Sequence, residues 1–219
     1  MQETLAAAVV MATGWQGKGS FVNPMCGSGT LAIEAALIAL DRAPGLLRGN
    51  FGFMHLVGFD EALWRELREQ ARIRSKRSCD GRIIATDINP EAVEAARKNA
   101  ATAGVEQLIE FGVRDYAATP VPDRGGIVVM NPEYGERMGD AAQLEAVYKG
   151  IGDYLKQKCG GYTGYVFTGS PALAKKVSLK PKRGIPFWNS GIECRLLEYE
   201  LYEGTRKKQT RGRGDAETR

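Results

Sequence analysis

The amino-acid sequence predicts an α/β protein with a doubly wound, mostly parallel β-sheet that carries helices on both faces. The first observation is that short apolar runs recur along the chain and are separated by helical patterns of about 10 to 18 residues. The second is that polar residues follow directly after several of these runs. Because consecutive parallel strands need a crossover connection, strands that alternate with helices favour a parallel sheet.

The first part of the chain starts this alternation. A helix at about Thr4 to Ala12 precedes the strand Ser20 to Pro24, and a glycine turn then opens a helix that is apolar nearly all round. An irregular connection rich in glycine follows, and after it a basic helix from Glu61 to Arg77. The segment at about 45–80 is therefore predicted to be an insertion that carries a basic helix.

The rest of the chain continues the pattern. Asn89 is the predicted N-cap of a helix with Pro90 in its first turn, directly after the strand that starts at Gly81. The residues after about 205 are basic and lack apolar spacing, so the segment 205–219 is predicted to be a disordered tail behind a catalytic domain at 1–204. The remaining predicted elements are strands at 108–116, 126–132, 164–170 and 194–203 and a helix at 141–158.

Composition bounds the class of protein. The chain has 219 residues, of which 43% are hydrophobic and 26% charged, and this balance suits one sizeable water-soluble domain. Its apolar runs fall short of the roughly 18 residues that a membrane span needs, and its N-terminus does not have the pattern of a signal peptide. The sequence therefore predicts a cytoplasmic protein without a membrane partner.

Cysteine and histidine usage argues against a metal centre. The four cysteines are widely spaced and form no C-x-x-C pair, and the chain has one histidine. A disulfide framework is disfavoured for the same reason. The residues concerned are Cys26, Cys79, Cys159, Cys194 and His55.

The net charge of +4 is unevenly distributed. Two segments are strongly basic, one from Arg65 to Arg77 and one from Arg206 to Arg213. Clustered cations suit a polyanionic partner such as RNA, although solvated helix faces and loose tails have the same composition.

A glycine turn and two carboxylates mark a candidate ligand site. The spacing Gly27-x-Gly29-x-x-Ala32 lies between a strand and a helix, where small residues let the backbone approach a nucleotide-like ligand. A structural turn or a dinucleotide-binding loop would give the same spacing. Asp87 ends the next strand, where a carboxylate can accept hydrogen bonds from both hydroxyls of a ribose. Asp115 ends another strand and is either a ligand of an adenine amino group or a turn residue.

A polar segment follows the buried strand at 127–130. It reads Asn131-Pro132-Glu133-Tyr134 and combines a polar amide, an exposed backbone carbonyl and an aromatic ring. Because open α/β sheets hold ligands at the ends of their strands, this segment predicts a small site for a flat substrate that carries an amine.

These features together resemble the class I S-adenosylmethionine-dependent methyltransferases, whose amino-methylating members carry the signature [DNS]-P-P-[YF]. Longer strings are similar to the catalytic domain of THUMP-associated RNA guanine-N2 methyltransferases, a family often described as N6-adenine-specific DNA methylases. The similarity runs from about Gln2 to Gly204. The strings are "LAAAVVMATGW", "NPMCGSGTLAIEAALIA", "ATDINPEAVEAARKNAATAG" and "NPEYGERMG".

The resemblance implies a Rossmann-like class I methyltransferase fold with S-adenosylmethionine as cofactor. It implies that Asp87 holds the ribose and Asp115 the adenine of the cofactor, and that Asn131, Pro132 and Tyr134 hold the target base and act in catalysis. The cofactor-binding residues that it implies are Asn23, Cys26, Gly27, Gly29, Asp87, Asp115 and Asn131.

The resemblance also implies an activity, namely transfer of a methyl group to the N2 amine of a guanosine, with 23S ribosomal RNA as the expected substrate. Three alternatives stay open: a transfer RNA guanine-N2 methyltransferase, an N6-adenine methyltransferase, and a weakly active accessory domain that binds cofactor or RNA. Two departures from the family pattern bear on them. Glu133 stands where the family has its second proline, and the THUMP RNA-binding domain usual in the family is not found before Thr4, so it is expected to be missing or on a separate chain.

Overall fold

The computed structural model describes residues 1–134 and 141–203. The strands in this part of the chain are β1 (Ser20–Pro24), β2 (Ile83–Asp87), β3 (Ile109–Val113), β4 (Gly126–Met130), β5 (Tyr162–Thr168), β6 (Arg183–Asn189) and β7 (Ile192–Glu200). The α-helices are α1 (Glu3–Ala12), α2 (Thr30–Ala39), α3 (Glu61–Arg74), α4 (Pro90–Thr102), α5 (Ala141–Lys158) and α6 (Pro171–Lys176). Short 3₁₀ helices lie at Pro44–Leu47, Gly52–His55, Glu106–Leu108 and Tyr116–Ala118.

All seven strands belong to one sheet with the order β3-β2-β1-β4-β5-β7-β6. Strands β1 to β5 pair in parallel, whereas β7 runs antiparallel to both β5 and β6. The predicted fold class is confirmed. The order reverses between β1 and β4, and open α/β sheets bind ligands in the crevice outside the carboxyl ends of the strands at such a point.

Helices cover both faces of the sheet. On one face, Val9 of α1, Ala36 of α2 and Ala96 of α4 are fully buried in a single apolar cluster. On the other face, Tyr148 and Leu155 of α5 pack into a second cluster together with residues of β4, β5 and β7. Helix α2 packs against β1, β2 and α1, which explains why its sequence is apolar on nearly every side.

The edge strand β6 and the short helix α6 were not predicted from the sequence. Gly184 and Pro186 interrupt the β6 pattern, and proline is tolerated in a sheet only where its missing N–H is not needed. The structure satisfies this condition because β6 pairs with β7 alone and forms the edge of the sheet. The two strands nevertheless register over seven residue pairs, from Arg183 to Asn189.

The predicted insertion folds into two 3₁₀ helices and α3, which ends at Arg74 and not at Arg77. Its aromatic rings pack on one another, with the Trp64 ring edge-on to Phe51 and Phe53 at centroid distances of 5.4 and 5.1 Å. The guanidinium of Arg68 donates hydrogen bonds to backbone carbonyls of the preceding loop. That the segment at about 45–80 is an insertion in the catalytic domain stays a prediction.

The basic helix has acidic partners along its length. Arg65 pairs with Glu61, Arg72 with Glu69 and Arg74 with Asp41, all between exposed side chains. Exposed pairs contribute little stability, so these cations can exchange partners easily. A contact between α3 and RNA phosphates therefore stays a prediction, and the second basic segment, Arg206 to Arg213, lies outside the described residues together with the rest of the predicted tail.

No helix within residues 1–134 and 141–203 has the length and apolar character that a membrane span requires.

Candidate cofactor and substrate site

The turn after β1 is held in an unusual backbone conformation. Met25 has a φ of 62°, a backbone conformation that residues other than glycine rarely adopt. Gly27 and Gly29 have φ angles of 54° and 83°. The Cys26 amide donates a hydrogen bond of 2.8 Å to the Thr86 carbonyl, which ties the turn to β2. Backbone strain of this kind persists only where the surrounding structure enforces it, and it is common in ligand-binding loops.

The two glycines of the turn are required for different reasons. A Cβ atom added to Gly27 would meet no atom within 4 Å, so this glycine borders open space. A Cβ atom on Gly29 would lie 2.8 Å from the Cβ atom of Ala96 in α4. Gly29 therefore allows the start of α2 to pack on α4, whereas Gly27 leaves room for a ligand to approach the backbone.

The Asp87 carboxylate at the end of β2 organises this turn. Its Oδ2 atom accepts a hydrogen bond of 2.8 Å from the Gly27 amide, and its Oδ1 atom accepts one of 3.0 Å from the Asn89 amide. Each carboxylate oxygen can accept a further hydrogen bond, so Asp87 can hold the turn and bind a diol at once. The predicted N-cap is confirmed, because Asn89 Oδ1 accepts a hydrogen bond from the Glu91 amide.

Asp115 lies beyond the end of β3 and is exposed. Its Oδ1 atom accepts a hydrogen bond of 2.8 Å from the Ala117 amide and so caps a short 3₁₀ helix. The neighbouring Arg114 amide donates to the Asp87 carbonyl across 2.9 Å, which keeps the ends of β3 and β2 together. Asp115 thus stabilises the turn after β3, and its role as a ligand of the adenine amino group stays a prediction.

Asn23 is fully buried at the point where β1 and β4 separate. The regular pairing of the two strands ends at Val22 and Val128. One residue further on, the Asn23 side-chain amide donates a hydrogen bond of 2.8 Å to the Val129 carbonyl. Its Oδ1 atom is buried and has no hydrogen-bond partner among the described residues. Asn23 therefore links β1 and β4 at the point where the crevice begins. Its place in the cofactor site stays a prediction.

The Cys26 thiol is not suited to nucleophilic chemistry. Burial, together with the nearby Asp87 charge, raises the pKa of this thiol to about 12. The side chain is therefore neutral near pH 7, and its place in the cofactor site stays a prediction.

The segment after β4 directs its polar groups to the same edge of the sheet. The Oδ1 atom of Asn131 is buried and has no hydrogen-bond partner among residues 1–134 and 141–203. Pro132 is buried, whereas Glu133 is exposed. A buried acceptor without a donor is uncommon and costs free energy, and the role of Asn131 as an acceptor for a ligand stays a prediction.

The side chain of Tyr134 turns toward the edge of the sheet formed by β7 and β6. Its hydroxyl accepts a hydrogen bond of 3.0 Å from Asn189 Nδ2, and the Cys194 thiol donates to it across 3.5 Å. The ring also packs against Gly169, where an added Cβ atom would lie 2.8 Å from the ring carbon Cε2. Burial raises the pKa of the Tyr134 hydroxyl, so it is neutral at physiological pH.

The residues predicted for the cofactor lie at or just after the ends of the parallel strands and so at one edge of the sheet, whereas the Tyr134 side chain turns toward β6 and β7. Gly27 and Asp87 are in direct contact. Asn131 directly follows the end of β4, which is the neighbour of β1 in the sheet. Sequence reasoning missed Asn189 and Cys194, the partners of Tyr134.

A sheet of this order, with a glycine turn after its first strand and carboxylates after the next two, defines a class I S-adenosylmethionine-dependent methyltransferase. The chain belongs to the family described as "UPF0020: RMKL-like, methyltransferase domain", which matches residues 1–198. The predicted cofactor is confirmed at the level of this family.

The relatives agree with this assignment. The chain is 36% identical over 214 residues to ribosomal RNA large subunit methyltransferase K/L of Shewanella baltica (strain OS155 / ATCC BAA-1091), an alignment that covers 96% of the chain and 30% of that protein. The chain thus spans less than a third of the length of this curated relative.

Two solved structures are similar over most of the chain. SMU.472, which was solved in complex with SAH, has a TM-score of 0.86 and 28% identity, and the match covers 93% of this chain and 53% of that one. A predicted N6-adenine-specific DNA methylase from Listeria monocytogenes str. 4b F2365 has a TM-score of 0.81 and 31% identity, with coverage of 92% and 51%.

Proposed function

We propose that this domain transfers a methyl group from S-adenosylmethionine to the exocyclic N2 amine of a guanosine in RNA, and that the RNA is 23S ribosomal RNA. The observation that carries the proposal is the buried Asn131 Oδ1 atom, which follows β4 and lacks a donor among the described residues. An amine N–H of a target base is a donor that would satisfy it.

The residues that would hold the cofactor lie on the β1, β2 and β3 side of the crevice. Gly27 borders open space, which fits close approach of a ligand to the backbone. Asp87 keeps acceptor capacity for the two ribose hydroxyls beyond its bonds to the backbone, and Asp115 is exposed beside it for the adenine amine. The bound cofactor would supply an electrophilic methyl group on a sulfonium ion.

The chain itself would supply positioning. The lone pair of an exocyclic amine is delocalised into the ring, which makes the amine a poor nucleophile. If Asn131 Oδ1 and the Pro132 carbonyl each accept one N–H, the lone pair is turned toward the methyl group and positive charge that develops on nitrogen is stabilised. The S–CH3 bond would break as the N–CH3 bond forms, which leaves S-adenosyl-L-homocysteine, and the methylated amine would then lose one proton to water. The residues of the chain would act as acceptors that orient the amine.

Tyr134 would contact the flat ring of the base. Aromatic stacking on a base is worth roughly 1–3 kcal/mol and tolerates different bases. The hydroxyl of Tyr134 is held by Asn189, so the position of the ring is set by β6 before substrate arrives. A base that enters this site must be unpaired or flipped out of a helix.

Support for RNA comes from the Shewanella relative, which is named for methylation of the ribosomal large subunit. The second candidate is an N6-adenine methyltransferase, which the name of the Listeria structure favours, because two acceptors recognise an amine and not a particular base. A transfer RNA guanine methyltransferase uses the same chemistry. The remaining alternative is a weakly active accessory domain. Two further expectations stay predictions, namely a THUMP domain on a separate chain and a cytoplasmic location.

Transfer of labelled methyl groups from S-adenosylmethionine to total RNA, followed by nucleoside analysis, tests the proposal. We expect label in N2-methylguanosine, and we expect ribosomal RNA from cells that lack the gene to be the best acceptor. Asn131→Ala is the control, because it should lower turnover by about 100-fold while cofactor affinity is retained. Label in N6-methyladenosine would favour the second candidate, and cofactor binding without transfer would favour the accessory domain.

A further inference from the structure

A cavity of about 810 Å³ lies between α6 and β7, on the face of the sheet that α5 covers. Its lining includes Thr168 and Gly169, at the carboxyl end of β5. Gly169 contacts the Tyr134 ring as well, so one backbone segment separates the cavity from the proposed target-base site. None of the cofactor residues of β1 and β2 lines it, so this cavity is distinct from the cofactor site.

The lining combines apolar walls with a cationic mouth. Leu179 and Leu197 contribute apolar surface, while Lys175 and Arg195 lie at exposed positions. Glu193 also lines the cavity and pairs with Arg195 at 3.4 Å, and both side chains are more than half exposed. The mouth of the cavity thus has two cationic side chains and one carboxylate, and this excess of positive charge favours a ligand with an anionic group.

The lining of the cavity also contains a buried hydroxyl group, that of Tyr199. Tyr199 lines the cavity, is 1% exposed, and its hydroxyl has no hydrogen-bond partner among the described residues. Burial raises the pKa of this hydroxyl to about 12, so it is a neutral donor and acceptor. An unpaired buried hydroxyl is destabilising, and a polar edge of a bound ligand would relieve this.

We propose that this cavity binds a nucleotide adjacent to the target nucleoside in the RNA strand. The inference rests on the proposed RNA methyltransferase function. The base would lie against Leu179 and Leu197, and Lys175 and Arg195 would contact its phosphate. The cavity volume falls within the roughly 300–1,000 Å³ typical of sites for small molecules, which is large enough for one nucleotide.

Geometry supports a neighbour of the target and not the target itself. The Tyr134 ring contacts Gly169 and packs against one apolar cluster, whereas Leu197 and Tyr199 of the cavity belong to the cluster on the other face of the sheet. A base that stacks on Tyr134 is therefore placed outside this cavity. When one base is held in an active site, the next nucleotide must lie within one backbone repeat of it. A phosphate contact there would fix the register of the strand, which is the usual role of lysine and arginine in nucleic-acid complexes.

Lysines on α6 offer a matched comparison. Lys175 lines the cavity, whereas the adjacent Lys176 does not and pairs with Glu145 at 2.7 Å. We would measure the anisotropy of a short fluorescein-labelled single-stranded RNA with the wild type, Lys175→Gln, Arg195→Gln and Lys176→Gln over a range of salt concentrations. Lys175→Gln and Arg195→Gln should each weaken binding about fivefold and reduce the salt slope by about one, while Lys176→Gln stays near the wild type. A fourth variant, Ala174→Phe, fills the cavity without a change in charge and should weaken binding as well.

Equal weakening by Lys175→Gln and Lys176→Gln would overturn the proposal, because only general surface charge would then matter. Unchanged binding in Lys175→Gln, Arg195→Gln and a folded Ala174→Phe protein would also overturn it and would leave the cavity to a protein segment. Cofactor affinity, measured by calorimetry with S-adenosyl-L-homocysteine, should be the same in all variants. Failure of the wild type to methylate RNA would instead contradict the proposed function, and this is read from label transfer and not from RNA binding.

Discussion

The side-chain amide of Asn189 donates a hydrogen bond of 3.0 Å to the hydroxyl of Tyr134, and this bond joins the edge strand β6 to the segment after β4. Two residues 55 positions apart are thereby fixed to each other at the substrate side of the sheet. Because Tyr134 also packs on Gly169, its ring is held by contacts from β6 and from the end of β5.

We predict that Asn189 is a positioning residue for Tyr134. Asn189→Ala and Tyr134→Phe each remove the same hydrogen bond, whose net worth is about 1 kcal/mol, so each should raise KM for RNA about fivefold and leave cofactor affinity unchanged. The measurement is a double-mutant cycle on KM and kcat. The combined variant should be no worse than either single variant. Fully additive losses would show that the two residues act separately.

The turn after β1 gives a prediction that separates folding from binding. Gly27 and Gly29 both have positive φ, but an added Cβ atom has open space at Gly27 and lies 2.8 Å from Ala96 at Gly29. We expect Gly29→Ala to lower stability by about 2 kcal/mol or more, which is the scale of an overpacked core position with a strained backbone. Gly27→Ala should cost about 1 kcal/mol of stability for its backbone conformation. Its affinity for S-adenosyl-L-homocysteine should fall at least tenfold.

Thermal unfolding and calorimetry on the two variants provide the check. A Gly27→Ala protein that binds the cofactor product normally would remove this glycine from the site. A Gly29→Ala protein as stable as the wild type would show that α2 and α4 can move apart without loss.

The sheet could be predicted from the sequence because its signals are local. Each of the strands β1 to β5 is bounded by turn residues, and N-caps such as Asn89 act within one helical turn. The strand ends then indicated where Asp87, Asp115 and Asn131 would lie, since parallel strands end at a common edge.

The contacts that complete the site could not be predicted in this way. The Gly27 amide and the Asp87 carboxylate are 60 residues apart, and their bond depends on how β1 and β2 pair. The Asn189 contact was missed because Pro186 hides the strand pattern of β6, which pairing with β7 nevertheless stabilises. Local patterns thus indicated which residues reach the site, and tertiary packing decides what each of them contacts.

Glu34 gives a prediction on pH. This residue of α2 is half-buried, and burial together with the Glu3 charge raises the pKa of its carboxyl. A raised folded-state pKa means that the folded protein holds the proton more tightly, so the contribution of Glu34 to stability is lost as pH rises through that pKa. Glu34→Gln should therefore raise the unfolding temperature at about pH 8 and have little effect at about pH 4.

Unfolding temperatures at several pH values test this, with Glu106→Gln as a control because Glu106 is exposed. A Glu34→Gln protein that is less stable than the wild type at high pH would mean that the ionised carboxylate makes a favourable contact.

The last prediction concerns Glu133, which stands where the family signature has a proline. A proline would confine Pro132 to an extended conformation and so aim its carbonyl at the target amine. Glu133 is exposed, so its replacement should not disturb the core. We expect Glu133→Pro to raise kcat about threefold to tenfold, because an acceptor that is already oriented costs less to align in the transition state. Glu133→Ala removes the charge without adding the restraint and should stay near the wild type. A lower kcat in both variants would show that the carboxylate has a role beside the reacting groups, and equal rates in all three proteins would mean that the Pro132 carbonyl does not hold the amine.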